Sequence, residues 1–435
     1  MFKVHKGSKS YITGWTILFS LSLIYMIISL FRQSPAVLAT SIMSDLNYNA
    51  AQMGLLNGAL FYTYALLQIP AGHYVYKIGM KRSIIYSLIV SAISFVMFAA
   101  FSNFTVLLIS RILTGVGLAF FLVPVITILA NWFKDQNFPQ KLSIIVSAGG
   151  LGILIGSSPL SLINNMIGWR GSFIVIASIA MLCFILVLIL VEEQPITEEK
   201  KFEELTDDDT SGTSIFNEII IILKNKLFWA PTLWSSIVIG IYSGFGGLWA
   251  GPYLEHTLGL GSDLMGLILS MLAIGMIAGS PALTFFAKEL IKSSKITLAL
   301  SSLITALIFV YLIIQGSDVP IAGLFIVFVL FSAFTFSLCS ITLNRITSIY
   351  SGNLKGTAIG VYMTFIWISS AFIQQITGWI LDMVHGKDGY YIITQFDEAF
   401  YLYIALCIVA TILIASTINK KDIERISEEI HEWLH

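Results

Sequence analysis

The chain has 435 residues, of which 57% are hydrophobic and only 11% charged, and its mean hydropathy is +0.86. That balance excludes an ordinary soluble domain and reads as an all-α polytopic membrane protein, with the lipid bilayer as its surroundings. The net charge of −1 leaves no basic surface for nucleic acid. Cys183, Cys339 and Cys407 stand in separate apolar runs without ligand spacing, which predicts small buried hydrophobes, no metal and no cofactor.

Met1 to Ser10 is short and basic and runs straight into an apolar segment with no small-residue cleavage pattern, so a first spanning helix is predicted rather than a removable signal. Crossing a hydrocarbon core takes about 20 residues. Runs of that length fall near 15–43, 53–76, 83–101, 104–132, 142–166 and 171–191, and again near 227–251, 263–287, 296–315, 320–344, 356–381 and 399–418. They are too long for barrel strands, which need only about 10 residues. Between the sets lies an interval carrying Glu192-Glu193, Glu198-Glu199, Glu203-Glu204 and Asp207-Asp208-Asp209. It reads as a solvated linker with a short amphipathic helix around Ser214 to Leu223. After the last run, Ile423, Ile426, Ile430 and Trp433 recur at near-helical spacing among charges, predicting an amphipathic tail on the membrane face. The expected organisation is a six-helix bundle over 1–191, an acidic linker over 192–226, a second six-helix bundle over 227–418 and a tail over 419–435.

The two sets repeat each other. Met53-Gly54-Leu55 recurs as Met265-Gly266-Leu267, Pro70 as Pro281, Gly150 as Gly360 and Gly168-Trp169 as Gly378-Trp379, in order and with offsets between 210 and 212. Parallel repeats of this kind predict two structurally equivalent halves with a site near the midplane between them. Orientation follows from the cations. With the N-terminus inside, only Arg170 and Lys387 fall in outer loops while the inner loops are rich in lysine and arginine, which places both termini in the cytoplasm of a bacterial inner membrane.

Two cations break the pattern. Arg32 and Arg111 stand inside apolar runs, and all 25 carboxylates lie in loops, tails or helix ends. An uncompensated cation in hydrocarbon costs about 2.5–3.5 kcal/mol even on the gentlest insertion scale. Counting about 1.5 Å per residue puts both guanidiniums slightly outward of the midplane, where they could address one ligand. A guanidinium matches a carboxylate or phosphate with two parallel hydrogen bonds. The alternative is that each arginine glues helices together or serves a gate. Pro35 removes the amide that would serve the Phe31 carbonyl and weakens the helix beside Arg32. Tyr25 shares the Arg32 face of its helix. Tyr62, Tyr64, Tyr242, Trp249, Trp367 and Gln374 are further candidates for a cavity lining, set against the ordinary lipid-facing role of membrane aromatics.

These residues resemble the major facilitator superfamily over essentially the whole chain. The stretch Gly72-His73-Tyr74-Val75-Tyr76-Lys77-Ile78-Gly79-Met80-Lys81-Arg82 is similar to the superfamily's G-x-x-x-D-[RK]-x-G-x-[RK]-[RK] gating element, with Tyr76 where the family has an acid. That departure puts the usual charge latch of this half in doubt, while Gly72, Lys77, Gly79, Lys81 and Arg82 match. Arg111 to Gly115 resembles the family's R-x-x-x-G segment. Phe31-Arg32-Gln33-Ser34-Pro35 resembles a bacterial subgroup with R-x-S-P in its first helix, related to the lysosomal dipeptide transporter branch. The resemblance implies a secondary transporter whose halves rock around a central site. With the lone arginines it gives the leading expectation of a small organic anion or zwitterion (amino acid, dipeptide or carboxylate) moved by alternating access. A co-transported proton or ion stays open as a partner, as do exchange and uniport, and a monomer is expected. The alternatives are a multidrug or metabolite exporter of the same fold and a transporter-like solute receptor. No nucleophile–base set or phosphate loop points to an enzyme.

Overall fold

Lipid offers no partner to a backbone amide or carbonyl, so each apolar run must satisfy its own groups as a helix. The computed structural model describes residues 8–121, 124–125, 128–129, 138–190, 215–287, 291, 293–350, 353–383 and 393–417, and among these every regular element is helical. The first set comprises α1 (Ser8–Leu46), α2 (Ala50–Ile78), α3 (Met80–Ala100), α4 (Phe104–Ala119), α5 (Phe138–Ile155) and α6 (Ser158–Leu190). The short α7 (Ile215–Lys224) precedes α8 (Lys226–Thr257), α9 (Ser262–Phe285), α10 (Ser294–Gln315), α11 (Ile321–Ile349), α12 (Asn353–Met383) and α13 (Ile393–Ala415).

Nine helical stretches among the described residues are long and apolar enough to cross a membrane. One of them, Ser147–Leu190, runs for 44 residues and is interrupted at Gly168, whose φ of +72° only glycine adopts at no cost. The break falls in the predicted gap between 142–166 and 171–191. The run predicted over 104–132 is described as helix to Ala119. The amphipathic helix expected around Ser214 to Leu223 is α7. It docks through buried Glu218 and Ile222, and Thr357 Oγ1 donates to the Glu218 carboxylate. The acidic stretch 192–214 and the tail 419–435 lie outside the described residues.

The repeat in the sequence is a repeat of packing. In the first set α1 packs on α5 and α6, α3 on α4 and α6, and α2 on α4. In the second, α8 packs on α12 and α13, α10 on α11 and α13, and α9 on α11, each pair matching its counterpart. Across the seam α2 packs on α12, α5 on α9, and α1 on the wide-turned middle of α8. Large apolar side chains such as Phe19, Met166, Ile189 and Ile314 are exposed on the outside, as a lipid-facing surface requires.

Call the side where α1 starts and α13 ends the terminal face. At the opposite, far face the halves are joined by many polar contacts. Asp382 at the end of α12 accepts hydrogen bonds from the Ala50 and Ala51 amides (2.9 and 2.7 Å), capping α2 from the other half. Thr40 Oγ1 donates to Glu255 (2.6 Å), Ser161 Oγ to the Ser262 carbonyl (2.6 Å) and Asn165 Nδ2 to Asp263 (3.0 Å). The α2–α12 seam continues inward through Asn57–Gln374, Tyr62–Gln375 and Thr364–Ala65.

α1 and α8 touch so closely that a Cβ on Gly251 would lie 1.7 Å from the Ala36 carbonyl oxygen. Gly251→Ala is therefore expected to hold the far face apart. A cysteine introduced at Gly247 should then be labelled from that side several-fold faster, whereas Gly261→Ala, whose Cβ meets nothing within 4 Å, should leave labelling unchanged.

Candidate functional site

Between the halves lies a narrow cavity of about 50 Å³, smaller than the ordinary range for small-molecule sites. From α1 it takes Tyr25, Ser29, Arg32 and Gln33; the spacing 25, 29, 32 is one face of a helix. Phe61 of α2 and Ile153 of α5 complete the first half's share. The second half adds Tyr242, Ser243 and Gly247 of α8, Met276 of α9, Phe336 of α11 and Trp367 of α12.

α1 stays helical through Pro35. The Phe31 carbonyl, which Pro35 cannot serve, accepts from the Ser34 hydroxyl at 2.9 Å, so the weakness expected beside Arg32 is repaired locally. Across the cavity α8 opens into π-helix over Tyr242–Trp249, a widened turn often found at functional sites. Two carbonyls of this segment serve the other helices: Gly246 accepts from Gln33 Nε2 (3.1 Å) and Ser243 from Gln374 Nε2 (2.8 Å).

Arg32 is half-buried, with Cζ 5.0 Å from the centroid of the Trp367 ring. That indole is stacked on Phe61 (5.5 Å, 11°) and takes the edge of Tyr64 (5.4 Å, 65°). The aromatic pile fixes the guanidinium from one side by cation–π attraction. No described residue gives Arg32 a hydrogen bond or an ion pair, so its five donors are left to whatever enters the cavity.

Arg111 is placed differently, and the expectation that both arginines address one ligand is corrected here. Arg111 is 1% exposed, is not among the cavity's lining residues, and none of its three nitrogens has a hydrogen-bond partner. Its Cζ lies 4.2 Å from the Phe98 ring centroid, 5.3 Å from Phe173 and 5.4 Å from Phe31. These rings come from α3, α6 and α1. No helix carbonyl of the described residues bonds to it; ring faces surround it. The matching helices of the second half, α8, α10, α11 and α13, meet through a cluster of Phe245, Phe309, Phe328, Phe331 and Phe400, with Tyr253 and Tyr403 packed against it. The counterpart of α4, which carries Arg111, is α11, and it brings Phe328 and Phe331 to that cluster.

Of the other expected residues, Tyr25, Tyr242 and Trp367 line the cavity, while Tyr62, Tyr64, Trp249 and Gln374 do not. Tyr62 donates to Gln375 (3.0 Å) and Trp249 Nε1 to the Gln374 carbonyl (3.1 Å). The Gln374 side chain, fully buried, accepts from Asn57 and donates to Ser243, tying α2, α8 and α12 together beside the cavity. Of the gating stretch, Gly79 makes the turn into α3 at φ +96° and Lys81 donates to the Leu188 carbonyl of α6 (2.9 Å), while Arg82 is exposed. The side chain of Lys77 lies outside the described residues, as does that of Tyr76, and Gly72 contributes only backbone to α2. Sequence reasoning missed Gln33, Ser29, Phe61 and Phe336. Helical spacing from Tyr25 and Arg32 could have found Ser29, but Phe61 and Phe336 look like any core phenylalanine.

The sequence profile of the Major Facilitator Superfamily matches residues 21–374. The chain belongs to this superfamily. As a superfamily member it is an integral membrane protein with the all-helical fold expected from its sequence. Among its relatives, the hexuronate transporter of Bacillus subtilis (strain 168) is 24% identical over 54% of this chain and 56% of its own length. The probable L-galactonate transporter of Escherichia coli (strain K12) is 22% identical over 82% of this chain and 80% of its own. The chain thus spans little more than half of the first of these relatives. Among solved structures, a bacterial homologue of the human lysosomal transporter Spinster, in an inward-facing and occupied conformation, aligns with TM-score 0.72 at 15% identity over 95% of this chain and 98% of that one. A D-xylose–proton symporter aligns with TM-score 0.72 at 14% identity, covering 94% and 98%.

The aromatic box yields a separable expectation. Arg111→Phe should keep the packing that the second half already uses, with thermal stability in detergent changed by less than about 1.5 kcal/mol. Arg111→Ala should cost about 2–5 kcal/mol by opening a cavity among the three rings.

Proposed function

We propose that this protein is a secondary transporter for a small organic anion or zwitterion, whose carboxylate is held by Arg32. The observation that carries this reading is a guanidinium in a central cavity, fixed over Trp367 and bonded to no described residue. A carboxylate entering in the guanidinium plane would satisfy two of its donors at once and neutralise its charge. Among the described residues no Asp or Glu lines the cavity, so nothing built into it competes for that role. The same uncompensated charge disfavours the cationic, lipophilic cargo of a multidrug exporter. Two of the relatives, a hexuronate transporter and a probable L-galactonate transporter, are by name carriers of carboxylates and support the assignment.

Transport proceeds by alternating access, with the far-face contacts around Asp382, Glu255 and Asp263 breaking as the halves rock. Any coupled proton then rides on the substrate's own acid or on one of these rim carboxylates. The protein works as a monomer in a bacterial cytoplasmic membrane, its terminal face inward on the strength of the cation distribution. Arg111 acts on the site through α1, since Phe31 of its box is the neighbour of Arg32.

Purified protein in proteoliposomes tests the assignment. Arg32→Ala, inserted and folded as the wild type, should lose at least about ten-fold in carboxylate uptake, equivalent to 1.4 kcal/mol of lost binding. Undiminished uptake of every carboxylate that the wild type carries would remove Arg32 from the site.

A further inference from the structure

The cavity's surroundings narrow the cargo further than its charge does. Arg32 is the lone cation among the lining residues, and around it stand the rings of Tyr25, Phe61, Tyr242, Phe336 and Trp367, with Ile153 and Met276 beside them. Polar groups are few. Gln33 gives one amide hydrogen to the Gly246 carbonyl, and the remaining polar groups are the rest of that amide and the hydroxyls of Ser29, Ser243, Tyr25 and Tyr242. The Tyr242 hydroxyl is buried and has no hydrogen-bond partner, while its ring is stacked on Phe331 (6.0 Å, 17°) and tilted against Phe336 (5.0 Å, 45°).

We infer that the cargo is a monocarboxylate carried on an aromatic ring or a flat apolar skeleton of similar size, with its carboxylate on Arg32 and its ring among Phe61, Tyr242, Phe336 and Trp367. This rests on the anion-carrier reading above and specifies it. A second carboxylate would enter a cavity with no second cation, a heavy desolvation cost. A polyhydroxylated sugar acid would bring hydroxyls against phenyl, isoleucine and methionine surfaces, where each unpaired group forfeits its bonds to water. An aromatic body instead matches the rings by offset or edge contacts and gains from leaving water. A single hydroxyl on that ring is the polar substituent we propose the lining accommodates, with the tyrosine hydroxyls as its partners. The sugar-acid names of the relatives do not extend to this lining, since they belong to proteins 22–24% identical to it.

The test is equilibrium binding to the purified full-length protein, by calorimetry or thermal shift. The probes are phenylacetate, its para-hydroxy derivative, galacturonate, tartrate and a cationic dye, each against wild type, Arg32→Ala and Tyr242→Phe. Phenylacetate should bind at least about ten-fold more tightly than galacturonate or tartrate, and Arg32→Ala should weaken phenylacetate binding by at least about ten-fold. The para-hydroxy derivative should bind more tightly still, with that gain lost in Tyr242→Phe. Galacturonate or tartrate binding as tightly as phenylacetate, in an Arg32-dependent manner, would overturn the inference and leave the anion-carrier reading standing. Binding of the dye with no carboxylate bound would overturn both. An unchanged gain from the ring hydroxyl in Tyr242→Phe would overturn the place given to Tyr242.

Discussion

A guanidinium cannot lose its charge at any physiological pH, so an arginine in the hydrocarbon region must be compensated by geometry. The two arginines of this protein meet that demand in opposite ways. Arg111 is closed into a box of three phenylalanine faces, where the ring quadrupoles are its surroundings and no oxygen reaches it. Arg32 rests on one indole face and leaves its donor edge to the cavity. The first arrangement is complete without a ligand. The second is not, and the function proposed here follows from that incompleteness.

The two environments are joined through α1. Phe31 contributes a ring to the Arg111 box and stacks on Phe95 at 3.9 Å, while Arg32, one residue on, looks into the cavity. Gln33, next again, reaches across the seam to the widened turn of α8. Three consecutive residues therefore face the helical core of the first half, the cargo space and the second half. Any rocking of the halves that shifts the Gln33–Gly246 contact acts on the residues that hold Arg32. The seam of α2 and α12, from Asp382 to Thr364, runs alongside and ends near the level of Trp367 and Phe61. Closure of the far face and support of the arginine platform thus share the same pair of helices.

Much of the fold was legible in the sequence because the bilayer imposes one periodicity and one length on every segment. The hydrophobic runs, the repeat offsets and the break at Gly168 are direct consequences of those constraints, and each has a counterpart in the structure. The site was legible where polar or amphipathic side chains are conspicuous against an apolar background, as with Arg32, Tyr25, Tyr242 and Trp367, while Ser29 was open to helical spacing and missed. Depth along a helix axis placed the two arginines at one level, but depth carries no azimuth. Arg111 points into its own bundle because the phenylalanines of three other helices converge there, and no one-dimensional reading distinguishes those rings from the rest of the core. The π-helical stretch of α8 escaped for a similar reason: Gly244, Gly246 and Gly247 signal an unusual backbone without saying which one.

The central claim is that charge on the cargo answers the charge of Arg32. It is tested most directly by comparing a carboxylate with the carboxamide of the same skeleton, which has the same shape and no charge. The account predicts that the wild type binds the acid at least about 100-fold more tightly than the amide, and that Arg32→Gln binds the two alike. Equal affinity of acid and amide for the wild type would contradict it.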